Sequence, residues 1–282
     1  MSAMPAPGTE DPLFSVAGKV VVITGALGQI GAEFTREFLN RGAKVAAISR
    51  TATGSRAEQA LGDAAGAPDL LVVAADICDR RSIEAALDTI GDRWGTPDVL
   101  INNAGIDTQP SAPPEVSGPF EDFPEEIFRE VVEVNLVGTF LMTQAVGKRM
   151  RAARRGGSII IIGSIYGMVS PQQPIYAFTA DDGDRFVKPV AYSAAKSGLY
   201  NLTRYCATYW GREGIRVNTL TPSGVGRDTQ DPRFQANYIE RMPIGRMATA
   251  DEFNGAAVFL ASAASTYMTG SNLVVDGGWT AW

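Results

Sequence analysis

The 282-residue sequence predicts an α/β fold: a doubly wound, mostly parallel seven-stranded sheet with helices on both faces. Three observations carry this. Seven short β-rich runs are nearly continuous in apolar residues, as strands covered on both faces must be. Segments with helical spacing separate most of them. No linker or repeat divides the chain, so alternating strand and helix implies right-handed crossovers within one sheet.

Taken in order, the first strand is Lys19–Thr24. A helix follows in which Ile30, Phe34 and Phe38 recur every four residues, with Gly42 as the stop signal. Strands are then expected at Lys44–Ser49, Leu70–Ala75, Asp98–Asn102, Ser158–Gly163, Ile215–Thr221 and Asn272–Asp276. Helices are expected at Arg80–Arg93, Pro124–Arg151, Tyr192–Arg212 and Ala250–Ala261. Residues 1–14 read as a flexible tail and 15–282 as a single domain. Two long loops break the rhythm, at about 107–123 and 169–190. Both follow the C-terminal ends of strands, where open α/β sheets bind ligands, and loops of that length are usually functional.

Composition narrows the chemistry. Twenty-five basic and 31 acidic residues give a net charge of −6, which points away from nucleic acid as a partner. There are no histidines, which removes a Ser-His-Asp triad, a His-Glu-x-x-His zinc helix and any His base. No metal site is expected. The two cysteines, Cys78 and Cys206, lie 128 residues apart and read as thiols of a reducing compartment. No apolar run approaches the roughly 18 residues of a membrane span, and the N-terminus lacks a signal-peptide pattern, so a cytoplasmic protein without membrane contact is expected.

The first strand ends in Thr24-Gly25-Ala26-Leu27-Gly28-Gln29-Ile30-Gly31 and opens a helix. Glycines at such a turn let the backbone approach a pyrophosphate at the positive helix terminus. The second strand ends in Ser49-Arg50, where a carboxylate would bind the ribose hydroxyls of NAD; an arginine there suits a 2′-phosphate and points to NADP. Tyr192 and Lys196 stand four residues apart on one helix face, and an ammonium beside a phenol favours phenolate, which gives a histidine-free protein an acid/base group.

With these motifs the chain resembles the short single-domain branch of the short-chain dehydrogenase/reductase family. The likeness runs from Gly18 to Gly278 through Thr24-Gly25 with Gly31, Asp76-Ile77, Asn102-Asn103-Ala104-Gly105, Asn135, Ser164, Tyr192, Lys196, Arg216-Val217-Asn218, Pro222 and Val274-Val275-Asp276-Gly277-Gly278. The resemblance implies a Rossmann-like sheet and hydride exchange between NAD(P) and a carbonyl or secondary alcohol. It makes Tyr192 the acid/base and lets Ser164 orient the substrate oxygen. Lys196 would lower the Tyr192 pKa, and Asn135 would fix the water joining Lys196 to solvent. The cofactor would be held by Gly25, Gly28, Gln29, Ile30, Ser49, Arg50, Asp76, Ile77, Asn103, Ala104, Gly105, Tyr192, Lys196, Pro222 and Val225.

The pattern departs from the family in three places. Gln29 stands where a glycine is usual, and the spacing through Gly28 is similar to that of sugar-nucleotide epimerases. An epimerase that retains NAD is therefore the alternative reading, with a non-catalytic dinucleotide binder behind it. Ser164 and Tyr192 are 28 residues apart, longer than usual, and Tyr176, 12 after Ser164, is a rival that lacks a lysine four later. Ser223 interrupts the usual Pro-Gly, and Arg227 replaces a threonine for which Thr229 could substitute. The long loops offer Asp107, Gln109, Gln172, Gln173, Tyr176 and Lys188 to a polar, sugar-like small-molecule substrate. A homo-oligomer, tetramer or dimer, is expected, and the aromatic end, Trp279-Thr-Ala-Trp282, should pack at a subunit interface or against the local core.

Overall fold

The computed structural model describes residues 11–108, 110, 112, 116–182 and 186–282. Its seven strands are β1 (Val20–Thr24), β2 (Lys44–Ser49), β3 (Leu70–Ala74), β4 (Val99–Asn102), β5 (Gly157–Ile162), β6 (Ile215–Pro222) and β7 (Asn272–Val275). They form one sheet in the order β3-β2-β1-β4-β5-β6-β7, and every neighbouring pair is parallel. The order reverses direction between β1 and β4. That topological switch point opens a crevice beyond the strand C-termini, where Thr24 and Asn102 end their strands.

Side-chain alternation along the strands divides the interior into two layers. Val21, Ile23, Val45 and Ala47 pack on one face against Phe34 and Phe38 of α1 (Gln29–Asn40), Leu61 of α2 (Gly54–Leu61) and Val258 of α9 (Asn254–Ala261). Val20, Val22, Ala46 and Ile48 face the other way. They meet Leu87 and Ile90 of α3 (Arg80–Trp94), Met142 and Met150 of α5 (Thr139–Ala153) and Trp210 of α7 (Val190–Trp210). A third, aromatic cluster lies over the switch-point end. It joins Ile165 and Tyr166 of α6 (Ile165–Met168) to Tyr176, Phe178 and Phe186 of the long loop, Phe234 and Tyr238 of α8 (Pro232–Ile239), and Trp279.

The strands match the sequence reading within one residue at each end, and the helices differ more. The single helix expected over Pro124–Arg151 is α4 (Glu125–Val132), then a π-helical turn at Glu133–Gly138, then α5. Ala250–Phe253 is a 3₁₀ turn that only then continues as α9. Helices α2 and α8 were not anticipated, and the 169–190 loop contains a 3₁₀ stretch, Gln173–Asp182, before α7 begins at Val190. The Asp11 carboxylate caps a 3₁₀ turn, Pro12–Phe14.

Helices α5 and α7 approach closely because Gly147 has no side chain: a Cβ there would lie 2.2 Å from the Trp210 ring. Gly147→Ala gains about 1 kcal/mol of helix propensity, but overpacking a rigid indole costs about 1–3 kcal/mol. The variant should unfold at lower urea than the parent; an unchanged or higher midpoint contradicts this packing.

Candidate active site

The crevice at the switch point is a cleft of about 730 Å³ that runs from Arg50 and Arg56 at one end to Tyr166, Tyr176, Lys188 and Tyr238 at the other. Its floor is fixed by backbone hydrogen bonds. The Thr24 hydroxyl accepts from the amides of Asn103 and Ala104, each at 3.0 Å, and the Asn103 side chain donates to the carbonyls of Thr24 and Gly25, each at 3.1 Å. Gly25 has φ +61° and a Cβ there would lie 2.8 Å from the Ala104 Cα, so both conformation and approach require glycine.

Helix α1 begins at this turn. Gly28 provides no side-chain cap, and among the described residues the amides of Gln29 and Ile30 have no acceptor. An uncapped helix start facing a cleft, with two arginine side chains across the opening, fits the diphosphate and 2′-phosphate of a dinucleotide. Arg56, in the first turn of α2, escaped the sequence reading because α2 itself did. Asp76 lines the same end, where its carboxylate accepts the Cys78 amide at 2.9 Å. Gln29 does more than occupy a glycine position: its amide donates to the Gly226 carbonyl at 3.2 Å and accepts from the Arg227 guanidinium. Arg227 therefore closes over the cleft mouth, while Thr229, its suggested substitute, is exposed and does not line the cleft.

At the other end Ser164, Tyr192 and Lys196 converge. Ser164 caps α6, its hydroxyl accepting the Tyr166 amide at 3.2 Å, and it lines the cleft beside Tyr192. Its main chain is held by Tyr200, which donates to the Ser164 carbonyl at 2.7 Å and lies 2.8 Å from the Thr221 hydroxyl. Tyr200 was missed; it stands four residues beyond Lys196 on the same face of α7, and that spacing was the available signal. The Lys196 ammonium donates to the Ile162 carbonyl at 2.8 Å and lies 5.7 Å from the Tyr192 ring centre. A second lysine, Lys188, lies 5.5 Å from the same ring. Asn135 sits in the π-helical turn and exchanges two hydrogen bonds of 2.8 Å with the backbone of Ile106. Its side chain is thus engaged by the loop after β4.

Electrostatics differ from the expectation that Lys196 would lower the Tyr192 pKa. Burial of the hydroxyl pushes Tyr192 well above the usual tyrosine range, the Asp107 carboxylate adds to this, and the neighbouring Ser164 hydroxyl opposes it. Burial also brings Lys196 down to about 8, with Asp107 pulling the other way. Tyr192 is therefore a neutral acid.

The rival tyrosine is placed differently. The Tyr176 hydroxyl is buried, 3.2 Å from that of Tyr166, and its ring packs on Phe186 and Phe234. Among the polar loop residues, Gln173 turns away from the cleft to exchange hydrogen bonds with the backbone of Lys188, and Gln172 does not line it. Asp107, Tyr176 and Lys188 do; Gln109 lies outside the described residues. Trp279 settles into the local core, stacked on Tyr238 at 4.3 Å, whereas Trp282 is exposed. No helix among the described residues is long and apolar enough to cross a membrane.

Comparison with known proteins accords with this geometry. A family model described as enoyl-(acyl carrier protein) reductase matches residues 25–280. The chain is 37% identical to a D-threitol dehydrogenase of Mycolicibacterium smegmatis, over 95% of both proteins. It is 32% identical to a galactitol 2-dehydrogenase (L-tagatose-forming) of Cereibacter sphaeroides, over 96% of this chain and 98% of the relative. Among solved structures, a short-chain dehydrogenase of Leptospira borgpetersenii with bound NAD+ superposes with a TM-score of 0.83 at 33% identity, over 99% and 100% of the two chains. A gluconate 5-dehydrogenase of Burkholderia cenocepacia, in complex with NADP and tartrate, gives 0.79 at 30% identity, over 96% and 98%.

Proposed function

The chain belongs to the short-chain dehydrogenase/reductase family, and on that premise we propose that it is an NADP-preferring dehydrogenase interconverting a secondary alcohol of a polyhydroxy compound with its ketone. The convergence of Tyr192, Ser164 and Lys196 at the foot of a nucleotide-sized cleft carries this reading. Arg50 and Arg56 support the choice of NADP, since two guanidinium groups favour a 2′-phosphate over a bare ribose hydroxyl. The polyhydroxy substrate rests on the tyrosine hydroxyls and the Asp107 carboxylate of the opposite wall, and on the threitol and galactitol relatives. The same proposal takes the protein as one catalytic domain over 15–282 that assembles as a dimer or tetramer in the cytoplasm.

When bound, the nicotinamide gives or receives the hydride. Gly25, Gly28, Gln29 and Ile30 would hold the diphosphate, Ser49 and Arg50 the 2′-phosphate, and Asp76 with Ile77 the adenine. The Asn103–Gly105 backbone, Pro222 and Val225 line the cleft toward the nicotinamide. In reduction, the substrate oxygen accepts hydrogen bonds from the hydroxyls of Tyr192 and Ser164, and Tyr192 passes its proton to the developing alkoxide. The phenolate left behind is stabilised by the Lys196 ammonium; oxidation runs the same transfers in reverse. Asn135 positions the loop that flanks Lys196.

Three outcomes test this. Tyr192→Phe should lose turnover while binding NADPH with nearly unchanged affinity in calorimetry, because it removes the proton donor and little volume; activity within a few-fold of the parent would move the acid role elsewhere. Arg50→Asp should weaken NADPH relative to NADH, and an unchanged preference would show that Arg50 never meets the phosphate. Lys196 ionises near 8. Its lowered pKa means the cation is present below that value and lost above it, so the rate of ketone reduction should fall as pH rises through about 8. A rate flat between pH 7 and 10 contradicts this role.

A further inference from the structure

Among the described residues, an ion pair between Lys188 and Asp107 joins the two long loops. Lys188 has a side chain only 5% exposed, and its ammonium donates to both Asp107 oxygens at 2.7 and 2.6 Å and to the Thr108 carbonyl at 2.9 Å. Those three bonds use every proton of the ammonium, so Lys188 has none left for a ligand. The main chain beside it is held as well: the Val187 amide donates to Ser117, and the Gln173 side chain brackets the Lys188 amide and carbonyl.

Asp107 is in the opposite position. Its side chain is 28% exposed, it lines the cleft, and a carboxylate has about four lone-pair sites, of which Lys188 takes two. Its charge acts on Tyr166, Tyr176, Tyr192 and Lys196, the groups that surround the substrate end. The pair therefore presents an acceptor, negative and prearranged, to whatever extends beyond the reacting carbon. Hydroxyl groups donate to such an acceptor. A second carboxylate is repelled by it, and the Lys188 ammonium, which could offset this, is already engaged.

We infer that Asp107, held in place by Lys188, determines substrate class: it accepts hydrogen bonds from the hydroxyls of neutral polyols and ketoses and excludes their carboxylate counterparts. This deepens the dehydrogenase reading above and rests on it. Lys188 is a positioning residue, acting through Asp107.

The test is NADP+-dependent oxidation of D-threitol and galactitol against threonate and galactonate, with kcat/KM measured for the parent, Asp107→Asn and Lys188→Met. The parent should favour the neutral polyols. Asp107→Asn, which keeps the shape but not the charge, should lower the polyol-to-aldonate ratio by about tenfold or more, the scale of one charged hydrogen bond. Lys188→Met leaves the carboxylate uncompensated and should raise the ratio. A merely structural role would slow both substrate classes together in either variant, and if Asp107→Asn fails to fold, Lys188→Met still decides the matter. A parent that prefers aldonates, or a ratio that stays unchanged or shifts the same way in both variants, overturns this inference alone. A parent that oxidises none of the four compounds overturns the dehydrogenase reading and this inference with it.

Discussion

The double hydrogen bond between the Asn135 side chain and the Ile106 backbone, 2.8 Å in both directions, is the constraint on which the site's geometry depends. A regular helix from α4 into α5 would carry residue 135 past the end of β4. The π-helical turn at Glu133–Gly138 absorbs the difference and keeps Asn135 facing the loop, a local distortion of the kind found at functional sites. The consequence reaches both neighbours of Ile106. Gly105 lies so close that a Cβ would come within 2.9 Å of the Asn135 oxygen and 3.8 Å of the Lys196 ammonium. Asp107, on the other side, is thereby aimed at Lys188. One amide side chain thus fixes the floor of the nucleotide end and the wall of the substrate end together.

The electrostatic design follows from that arrangement. Lys196 and Tyr192 are both disfavoured as ions by burial, and the groups that oppose this do not reverse it. Lys188 is equally buried, and its ammonium is bonded to a carboxylate and a carbonyl within 3 Å. Of the two lysines over the Tyr192 ring, the one in the structural pair is satisfied, and the one on α7 retains a chemically adjustable proton. Separating these roles lets charge be stored beside the reacting group without fixing the protonation state of the group itself.

Much of this was legible in the sequence because parallel strands covered on both faces read as apolar runs whatever surrounds them; Lys44–Ser49 matches to the residue. The tyrosine, its lysine and the glycine turn were legible through local spacing. Where spacing is not local, the reading ran out. Asp107 and Lys188 are 81 residues apart, and nothing in either loop announces the other. Helix α8 did carry a signal, Asp231 as cap followed by Pro232, but its eight residues are too few for periodicity to stand out. The long helix failed for a different reason: the apolar period continues through EVNLVG, and only the tertiary bond to Ile106 reveals the widened turn.

The extra length between Ser164 and Tyr192 shows how such a site tolerates insertion. Neither end of the segment depends on what lies between. Ser164 is held from α7 by Tyr200, and the chain re-enters α7 two residues after Lys188, which Asp107 anchors. Within the segment, Gln173–Asp182 form a 3₁₀ stretch whose Ile175 and Tyr176 pack with Phe234 and Tyr238, so this stretch is cleft wall and core at once. In the proposed mechanism hydride and proton transfer would depend on groups fixed by the sheet and α7, whereas the cleft wall beyond them is built from the inserted loop and α8. The segment can therefore change in length and composition, and with it the ligands the cleft admits, without displacing Tyr192 from Ser164.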